Sequence, residues 1–230
     1  AAIIGGSATI EIDGTGPQAL GASGGTAGLP RLTIDKSLDT LTIQDTITVT
    51  RFTYTQGTVS TGTSTIKLAG SSATITPGSV QFNNFTFLMQ NNATHTITGT
   101  LDVNGNLIIT GADGSSSLTG GAITVAGNVT ESGAVALSGT TTITLDGAGT
   151  QTITLTNAGG LPNGTVTIDK SGTAVLASAV NLDGSGQDLT ITSGTLSLAG
   201  FNLTVNDVFT IGANGTLQLQ GAETVSSVDS

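Results

Sequence analysis

Apolar and polar residues alternate with a period of two along most of the chain. In Thr46-Ile47-Thr48-Val49-Thr50 and in Gln151-Thr152-Ile153-Thr154-Leu155, aliphatic residues alternate with Thr. Since successive side chains of a β-strand point to opposite faces, the pattern predicts short strands with one apolar and one polar face. Asp-Gly, Asn-Gly and Ser-Gly steps between the runs supply the positive-φ positions that tight turns need. The chain is therefore predicted to be all-β.

A longer period overlies this alternation. In several segments a Gly is followed by apolar residues two and four positions later, and at Gly57 by the first of these alone. These glycines fall into two series, and within each series they recur at roughly 21–22 residues. The glycines are Gly57, Gly78, Gly99, Gly121, Gly172, Gly194 and Gly215. An antiparallel sandwich or barrel would explain the turns. A sandwich or barrel does not require a repeat of roughly 21–22 residues. In a β-solenoid each such repeat forms one coil, and like residues of successive coils stack as ladders. We therefore predict a single-stranded parallel β-helix of roughly ten coils, about 50 Å long at ~4.8 Å per coil.

Two stretches of the chain match each other at an offset of about 133 residues. Ile10 to Gln18, with the sequence Ile-Glu-Ile-Asp-Gly-Thr-Gly-Pro-Gln, matches Ile143 to Gln151, and both are followed by Gly-Leu-Pro and then by Ile-Asp-Lys-Ser. We interpret residues 1–230 as one solenoid domain with an internal duplication that relates about 9–70 to 142–205.

Several segments resemble the repeats of large secreted bacterial surface proteins of the hemagglutinin and autotransporter-passenger type. They are Thr-Ile-Thr-Leu-Asp-Gly-Ala-Gly-Thr-Gln-Thr-Ile (142–153), Val-Thr-Ile-Asp-Lys-Ser-Gly-Thr-Ala-Val-Leu (166–176) and Leu-Thr-Ile-Thr-Ser-Gly-Thr-Leu-Ser-Leu-Ala-Gly-Phe-Asn-Leu-Thr-Val (189–205). The resemblance is strongest over 140–225, weaker over 9–70 and weakest between. It implies a right-handed parallel β-helix in an extracellular setting, and it identifies no active site. Such segments usually belong to much longer chains.

The composition narrows the possible partners. Only 9% of the 230 residues are charged and the net charge is −10, so the surface repels phosphate backbones and nucleic-acid binding is not expected. No apolar run approaches the ~20 residues of a transmembrane helix. There is no Cys, and the chain begins Ala1-Ala2-Ile3-Ile4 without Met, as a secreted protein does after its signal peptide is removed. We expect an extracellular or cell-surface protein.

The candidates for catalysis are few. The only histidine, His95, lies in Thr94-His95-Thr96-Ile97, and we place it on the outward face with the Thr residues, without a partner for a metal site or a triad. A polysaccharide-acting β-helix enzyme is an alternative, with paired carboxylates or a calcium cluster. The basic residues that such an enzyme would use are scattered along the sequence, at Arg31, Lys36, Arg51, Lys67 and Lys170. With no Trp and one Tyr, the chain also has few aromatic side chains on which sugar rings could stack. The sequence predicts no enzyme.

Two binding alternatives concern the turns and the outward Thr residues. Asp13, Asp146 and Asp183 of Asp-Gly steps could bind Ca²⁺, but Asp is also a common turn former, and we predict no cofactor. Regular Thr ranks on a flat solenoid face would allow ice binding. Thr74-Ile75-Thr76 recurs one period later as Thr96-Ile97-Thr98, but a further period on lie Leu118 and Thr119, where we expect the rank to be lost.

The ends suggest a function. A parallel solenoid leaves unpaired backbone groups at its first and last coils, and neither end of this sequence shows an amphipathic helix that would cover them. We predict a structural protein that assembles end to end with copies of itself into a filament, fibre or sheath. The alternative is an adhesin or stalk module that contacts host or neighbouring cell surfaces. The residues expected to mediate self-assembly are Ala1, Ala2, Ile3, Ile4, Thr224, Val225 and Val228.

Overall fold

A computed structural model describes residues 7–23, 26–111, 114–133 and 135–227. These residues form strands and turns with no helix, and the strands stack in parallel as a β-solenoid of about 9 turns. The prediction of an all-β parallel solenoid is confirmed. The strands are β1 (Ile10–Ile12), β2 (Gln18–Leu20), β3 (Thr26–Leu29), β4 (Leu32–Ile43), β5 (Thr46–Val49), β6 (Arg51–Ser60), β7 (Thr65–Thr76), β8 (Gln81–Phe82), β9 (Asn84–Ile97), β10 (Thr100–Val103), β11 (Leu107–Gly111), β12 (Gly114–Thr119), β13 (Ala122–Val125), β14 (Val129–Ser132), β15 (Val135–Ser138), β16 (Thr142–Leu145), β17 (Gln151–Leu155), β18 (Val166–Leu176), β19 (Val180–Leu182), β20 (Leu189–Ser197), β21 (Leu203–Val205), β22 (Phe209–Gln218) and β23 (Val225–Ser227).

Each turn contributes to three parallel ladders, which we call the first, second and third in chain order. The first starts with β1, passes through the early part of β4 and of β6, continues to β12 and β15, and is resumed by the sheet of β19, β21 and β23. The second starts with β2 and includes β10, β13, β16 and the early parts of β18, β20 and β22. The third starts with β3 and includes β5, β11, β14, β17 and the late parts of the same three long strands. Long strands therefore bend from one ladder into the next.

The core consists of apolar ladders that run along the axis. In the second ladder Leu101, Ile123, Ile143, Val166 and Leu189 pair in register, and each of them is buried. Full burial of one such side chain contributes roughly 1.5–3 kcal/mol. Phenylalanines form a second type of core contact at Phe52, Phe82, Phe85 and Phe87, with ring centroids 4.9–5.4 Å apart.

The turn length varies more than the sequence period suggests. Register pairs Thr46 with Thr65, which makes that turn shorter than the period, and Val129 with Ile153, which makes that turn longer. The ladders stay in register because bends absorb the difference, in some places as register shifts within a strand pair. The period read from the sequence is thus an average and does not predict the partner of every residue.

The placement of His95 on the outward face is wrong. His95 has no exposed surface and pairs in register with Ala73 and Leu118, which are also buried. Its Nε2 lies 3.1 Å from the carbonyl oxygen of Gly70, and its ring packs against Phe87. The physical reason is elementary, since residues two apart on a strand share a face and His95 therefore points the same way as Ile97.

Candidate functional site

The residues predicted to mediate self-assembly fall into two groups. Ala1 to Ile4 and Val228 lie outside the described residues. Thr224 and Val225 belong to the last described turn, where the backbone N–H of Thr224 donates to Asn202 Oδ1 at 2.8 Å and its carbonyl accepts from Leu203 N at 3.0 Å. Val225 pairs with Leu203, so these contacts fasten β23 to the body along one edge. No described strand pairs with the other edge of β23.

The last turn also leaves the core ladders uncovered. Phe209 and Ile211 stack on the buried Leu189 and Ile191, yet Ile211 is 47% exposed whereas Ile191 is 0% exposed. Leu219 is 47% exposed, although Leu198, one turn earlier, is 0% exposed. Within the described part of the chain, the one register found for β22 is with β20. We call this surface, which comprises the open edges of β22 and β23 and the apolar residues at 208–219, the C-terminal end surface.

The opposite end presents the first strand of each ladder. Among the described residues β1 and β2 pair only with β4, and β3 pairs only with β5. Ile10, Leu20 and Leu29 are partly exposed and pack on the core. The three strands form the N-terminal end surface, which is also aliphatic.

Glu223 holds the bend that leads into β23. Its Oε1 accepts hydrogen bonds from Gly200 N (2.9 Å) and Gln220 N (2.8 Å), and its Oε2 accepts from Gly221 N (2.7 Å) and Ala222 N (3.0 Å). These backbone donors, that of Gln220 above all, lower the pKa of Glu223 to about 2. The carboxylate therefore stabilises the last strand from the solvent side.

Two lysines that sequence reasoning regarded as scattered cations are buried in equivalent positions of the two duplicated stretches. Lys36 Nζ donates to the carbonyl oxygens of Gly14 (2.5 Å) and Gly16 (2.8 Å) and to Gln18 Oε1 (2.8 Å). Both its burial and its contacts are at odds with a solvated charge.

Lys170 repeats this arrangement in the second copy. Its Nζ donates to Gly149 O and Gln151 Oε1, both at 2.7 Å, and to Thr173 O at 3.3 Å. Burial lowers the pKa of Lys170, and the carboxylate of Asp146 opposes that shift. Each ammonium group thus donates to carbonyl oxygens of the bend one turn earlier, between β1 and β2 for Lys36 and between β16 and β17 for Lys170. The spacing Asp-Gly-x-Gly-x-Gln followed by Ile-Asp-Lys, present twice, is the signal that could have revealed them.

A glycine of the next turn covers each lysine. A Cβ at Gly57, where φ is +114°, would come within 2.7 Å of Lys36 O, and a Cβ at Gly194, where φ is +81°, would come within 2.4 Å of Lys170 O. Both the left-handed backbone and the close approach require glycine. Two of the glycines that define the sequence period therefore have a packing reason.

Glu131 is a buried acid that the sequence did not single out. It stacks between Ile109 and Leu155, its Oε2 accepts from Asn157 N at 2.9 Å, and its Oε1 is buried with no hydrogen-bond partner. Burial raises the pKa of this carboxyl, partly offset by hydrogen bonds from Asn157 and Thr156. Among the described residues, no histidine, lysine or arginine is a hydrogen-bond partner of Glu131.

The described residues hold no group of three or more His, Cys, Asp or Glu side chains that could bind a metal, and no pocket is found among them. Of the three Asp residues considered for Ca²⁺, Asp183 accepts from the side chain of Asn181 at 2.8 Å. The pKa of Asp146 is raised by burial and by the charge of Asp102. In the part of the chain that the structure covers, no helix could cross a membrane.

The expectation that the Thr rank is lost at Leu118 and Thr119 is wrong for one row of the Thr-x-Thr motif and right for the other, because Gly120 and Gly121 follow Thr119. Thr74, Thr96 and Thr119 pair in register, and Thr119 Oγ1 lies 3.5 Å from Thr140 Oγ1. A parallel row consists of Ser72, Thr94, Ser117 and Ser138. The row that includes Thr96 survives because the turn from Thr96 to Thr119 is slightly longer than the turn before it, and Leu118 points inward on His95.

Comparison with known proteins gives no relative: no protein-family model, no curated protein and no solved structure matches the chain. The fold and its end surfaces therefore carry the functional interpretation.

Proposed function

We propose that the protein is a non-catalytic structural subunit of the cell exterior whose copies stack end to end into a filament, fibre or sheath, without a cofactor. The observation that carries the proposal is the C-terminal end surface, where apolar ladders continue to Ile211 and Leu219 beside strand edges with which no described strand pairs. Natural proteins usually cover such edges because they pair readily with other chains. The resemblance to repeats of secreted bacterial surface proteins supports the extracellular setting.

The expected contact has two components. Covering Phe209, Ile211, Leu217 and Leu219, which are partly exposed, would contribute about 3–5 kcal/mol of hydrophobic free energy. Pairing of up to three strand edges adds backbone hydrogen bonds at roughly 0.5–1.5 kcal/mol each. Together these terms can offset the loss of translational and rotational freedom on association, estimated at about 4–15 kcal/mol.

Negative-stain electron microscopy of the purified protein tests the proposal. We expect filaments from the unmodified chain and their loss in Ile211→Asp, which places a charge on the C-terminal end surface. Leu38→Asp is the matched control, because Leu38 is 64% exposed at a bend between two ladders and lies away from the C-terminal end surface. Dispersed short rods from the unmodified protein under native conditions would contradict end-to-end assembly and favour an adhesin or stalk module.

Ice binding is a second candidate, favoured by the two hydroxyl rows. Their members repeat at the ~4.8 Å spacing of parallel strands, and the two rows are about 7 Å apart, since they are two residues apart along each strand. The rows are only four turns long. An ice-recrystallisation assay of Thr96→Tyr against unmodified protein tests this function, and equal behaviour of the two proteins would exclude it.

A further inference from the structure

Two arginines that are far apart in the sequence, Arg31 and Arg51, are neighbours on the first ladder and form what we call the arginine pair. Each comes one residue before a buried residue, and those two residues, Leu32 and Phe52, pair in register. By alternation both arginines point outward, on strands that lie ~4.8 Å apart. Neither guanidinium has an ion-pair or hydrogen-bond partner among the described residues, Glu11 of the same face included. Like charges on neighbouring strands repel each other, so the described part of the chain leaves these two cations uncompensated.

Two aspartates, Asp146 and Asp169, form a matching aspartate pair at the end of the second ladder. They follow directly after two buried residues that pair in register, and both carboxylates are exposed. Asp169 Oδ1 accepts a hydrogen bond from Ser193 Oγ at 2.8 Å. Burial raises the pKa of Asp146, and the charges of Asp102 and Asp169 raise it further, against the opposing charge of Lys170. The aspartate pair therefore repeats the arginine pair with the opposite sign of charge.

We propose that the arginine pair of one copy binds the aspartate pair of a neighbouring copy, so that filaments associate side by side. Within each pair the two charges are one strand step apart along the axis. Two contacts between a guanidinium and a carboxylate therefore form together when the axes of the two copies are aligned. This inference rests on the proposed end-to-end assembly and adds a lateral contact to it.

The contact joins two different surfaces of the subunit, because the arginine pair lies on the first ladder and the aspartate pair on the second. Such a heterologous contact leaves the aspartate pair of the first copy and the arginine pair of the second copy free to bind further copies. It therefore does not close as a two-fold dimer, and it extends into a bundle or sheath.

The distribution of charge along the axis favours an offset between neighbouring copies. Residues 1–70 carry five acidic and four basic side chains, a net charge of −1, whereas residues 71–230 carry ten acidic side chains and one lysine, a net charge of −9. Copies side by side without an offset would place their acidic portions against each other. The first ladder leads from β4 through β6, β7, β9 and β12 to β15, which precedes β16 and Asp146, in five steps. Contact between Arg31 and Asp146 therefore offsets parallel copies by about 24 Å at ~4.8 Å per step.

A single contact of this kind is weak, because exposed ion pairs contribute little individually and salt screens them. A filament repeats the contact at every subunit, so the total strength grows with the number of subunits, as in other multivalent binding. We therefore expect lateral association of filaments and not of dispersed subunits, and we expect it to weaken as the ionic strength rises.

Low-speed sedimentation of assembled filaments, with negative-stain electron microscopy of pellet and supernatant, tests the contact. We expect bundles in the pellet at ~10 mM salt, where the Debye length is about 30 Å, and single filaments in the supernatant at ~1 M salt, where it is about 3 Å. Arg31→Gln/Arg51→Gln should lower the pelleted fraction at low salt roughly tenfold. Lys67→Glu is the matched control, because it makes the net charge more negative by the same amount at an outward position of the third ladder. It should change the pelleted fraction less than twofold.

An exchange of charges tests whether the two pairs contact each other. Arg31→Asp/Arg51→Asp should abolish the bundles and leave single filaments. Addition of Asp146→Arg/Asp169→Arg to this variant restores the net charge of the unmodified protein and should restore the bundles. Equal pelleting by the Arg31→Gln/Arg51→Gln and Lys67→Glu variants would overturn the contact, and so would a fourfold variant that forms filaments without bundling.

Failure of the lateral contact is distinguishable from failure of end-to-end assembly. Single filaments of the unmodified protein that do not bundle at low ionic strength would overturn the lateral contact and leave end-to-end assembly standing. Bundles that persist at ~1 M salt would overturn its ionic nature, since salt at that concentration screens exposed charges. Absence of filaments would overturn both proposals.

Discussion

The two buried lysines allow one comparison within a single molecule. Lys36 and Lys170 each donate to two or more backbone or amide oxygens, but their acceptors differ in exposure. Gln151 is buried, whereas Gln18 is exposed at the N-terminal end surface. Replacement of each lysine by Met removes the donors and keeps most of the side-chain volume.

The structure gives the size of the expected difference. In Lys170→Met the buried Gln151 loses its charged partner and retains Gly147 N at 3.1 Å, and a weakened buried acceptor costs about 1–3 kcal/mol. With the charged hydrogen bond to Gly149 O also lost, we expect a decrease in the free energy of unfolding of about 2–4 kcal/mol. In Lys36→Met water can replace the ammonium at Gln18, so the expected decrease is about 1–2 kcal/mol.

Hydrogen–deuterium exchange of dispersed protein is the appropriate assay, because repeat proteins open locally and a single global unfolding curve would average over turns. Peptides over 142–176 of Lys170→Met should lose more protection than peptides over 10–43 of Lys36→Met. Equal losses, or a larger loss at Lys36, would refute the view that burial of the acceptors sets the contribution of each lysine.

Three further predictions concern glycine packing and buried or capped carboxylates. Gly194→Ala should lower the free energy of unfolding by about 2–4 kcal/mol, and Gly200→Ala by about 1–2 kcal/mol. The difference arises because φ is positive at both sites but only Gly194 lies against Lys170 O. Urea denaturation of the two variants measures it. Burial raises the folded-state pKa of Glu131, so the free energy of unfolding should fall as the pH rises above about 4.5. Glu131→Gln should abolish this fall and gain on the order of 1 kcal/mol at pH 7. Superimposable pH profiles of thermal unfolding for the variant and the unmodified protein would contradict this prediction. The pKa of Glu223 is lowered to about 2, so its contribution to stability is complete above the ordinary value of 4.5 and is lost as the pH falls through about 2. Glu223→Gln should therefore increase the hydrogen exchange of residues 218–227 at every pH. Unchanged protection of this segment at pH 6 would disprove the role of the carboxylate.

The fold was predictable from the sequence because its determinants are local. Alternation of apolar and polar residues sets the strand faces, and Gly at bends sets the approximate period. The same parity rule, correctly applied, places His95 with Ile97 in the core. The Thr rank could not be followed from spacing alone, because single turns deviate from the mean length and only the pairing of Thr96 with Thr119 reveals the register.

The buried lysines were more accessible to sequence reasoning than the end surfaces. Lys36 follows the buried Ile34 by two residues, as Lys170 follows Ile168, so the alternation places both lysines inward, and only their hydrogen-bond partners required the structure. The first copy and its duplicate also lie in different ladders, since turns of unequal length separate them. The open edges of β22 and β23 follow from the strand pairings and therefore required the structure.

Electron cryo-microscopy with helical reconstruction of assembled protein tests the central claim most directly. End-to-end stacking predicts a filament whose long axis is the axis of the solenoid, with the strands perpendicular to it. With about 9 turns per subunit at ~4.8 Å per turn, the axial rise should be about 45–50 Å per subunit. Subunits joined side by side, with the solenoid axes across the filament, would contradict the account.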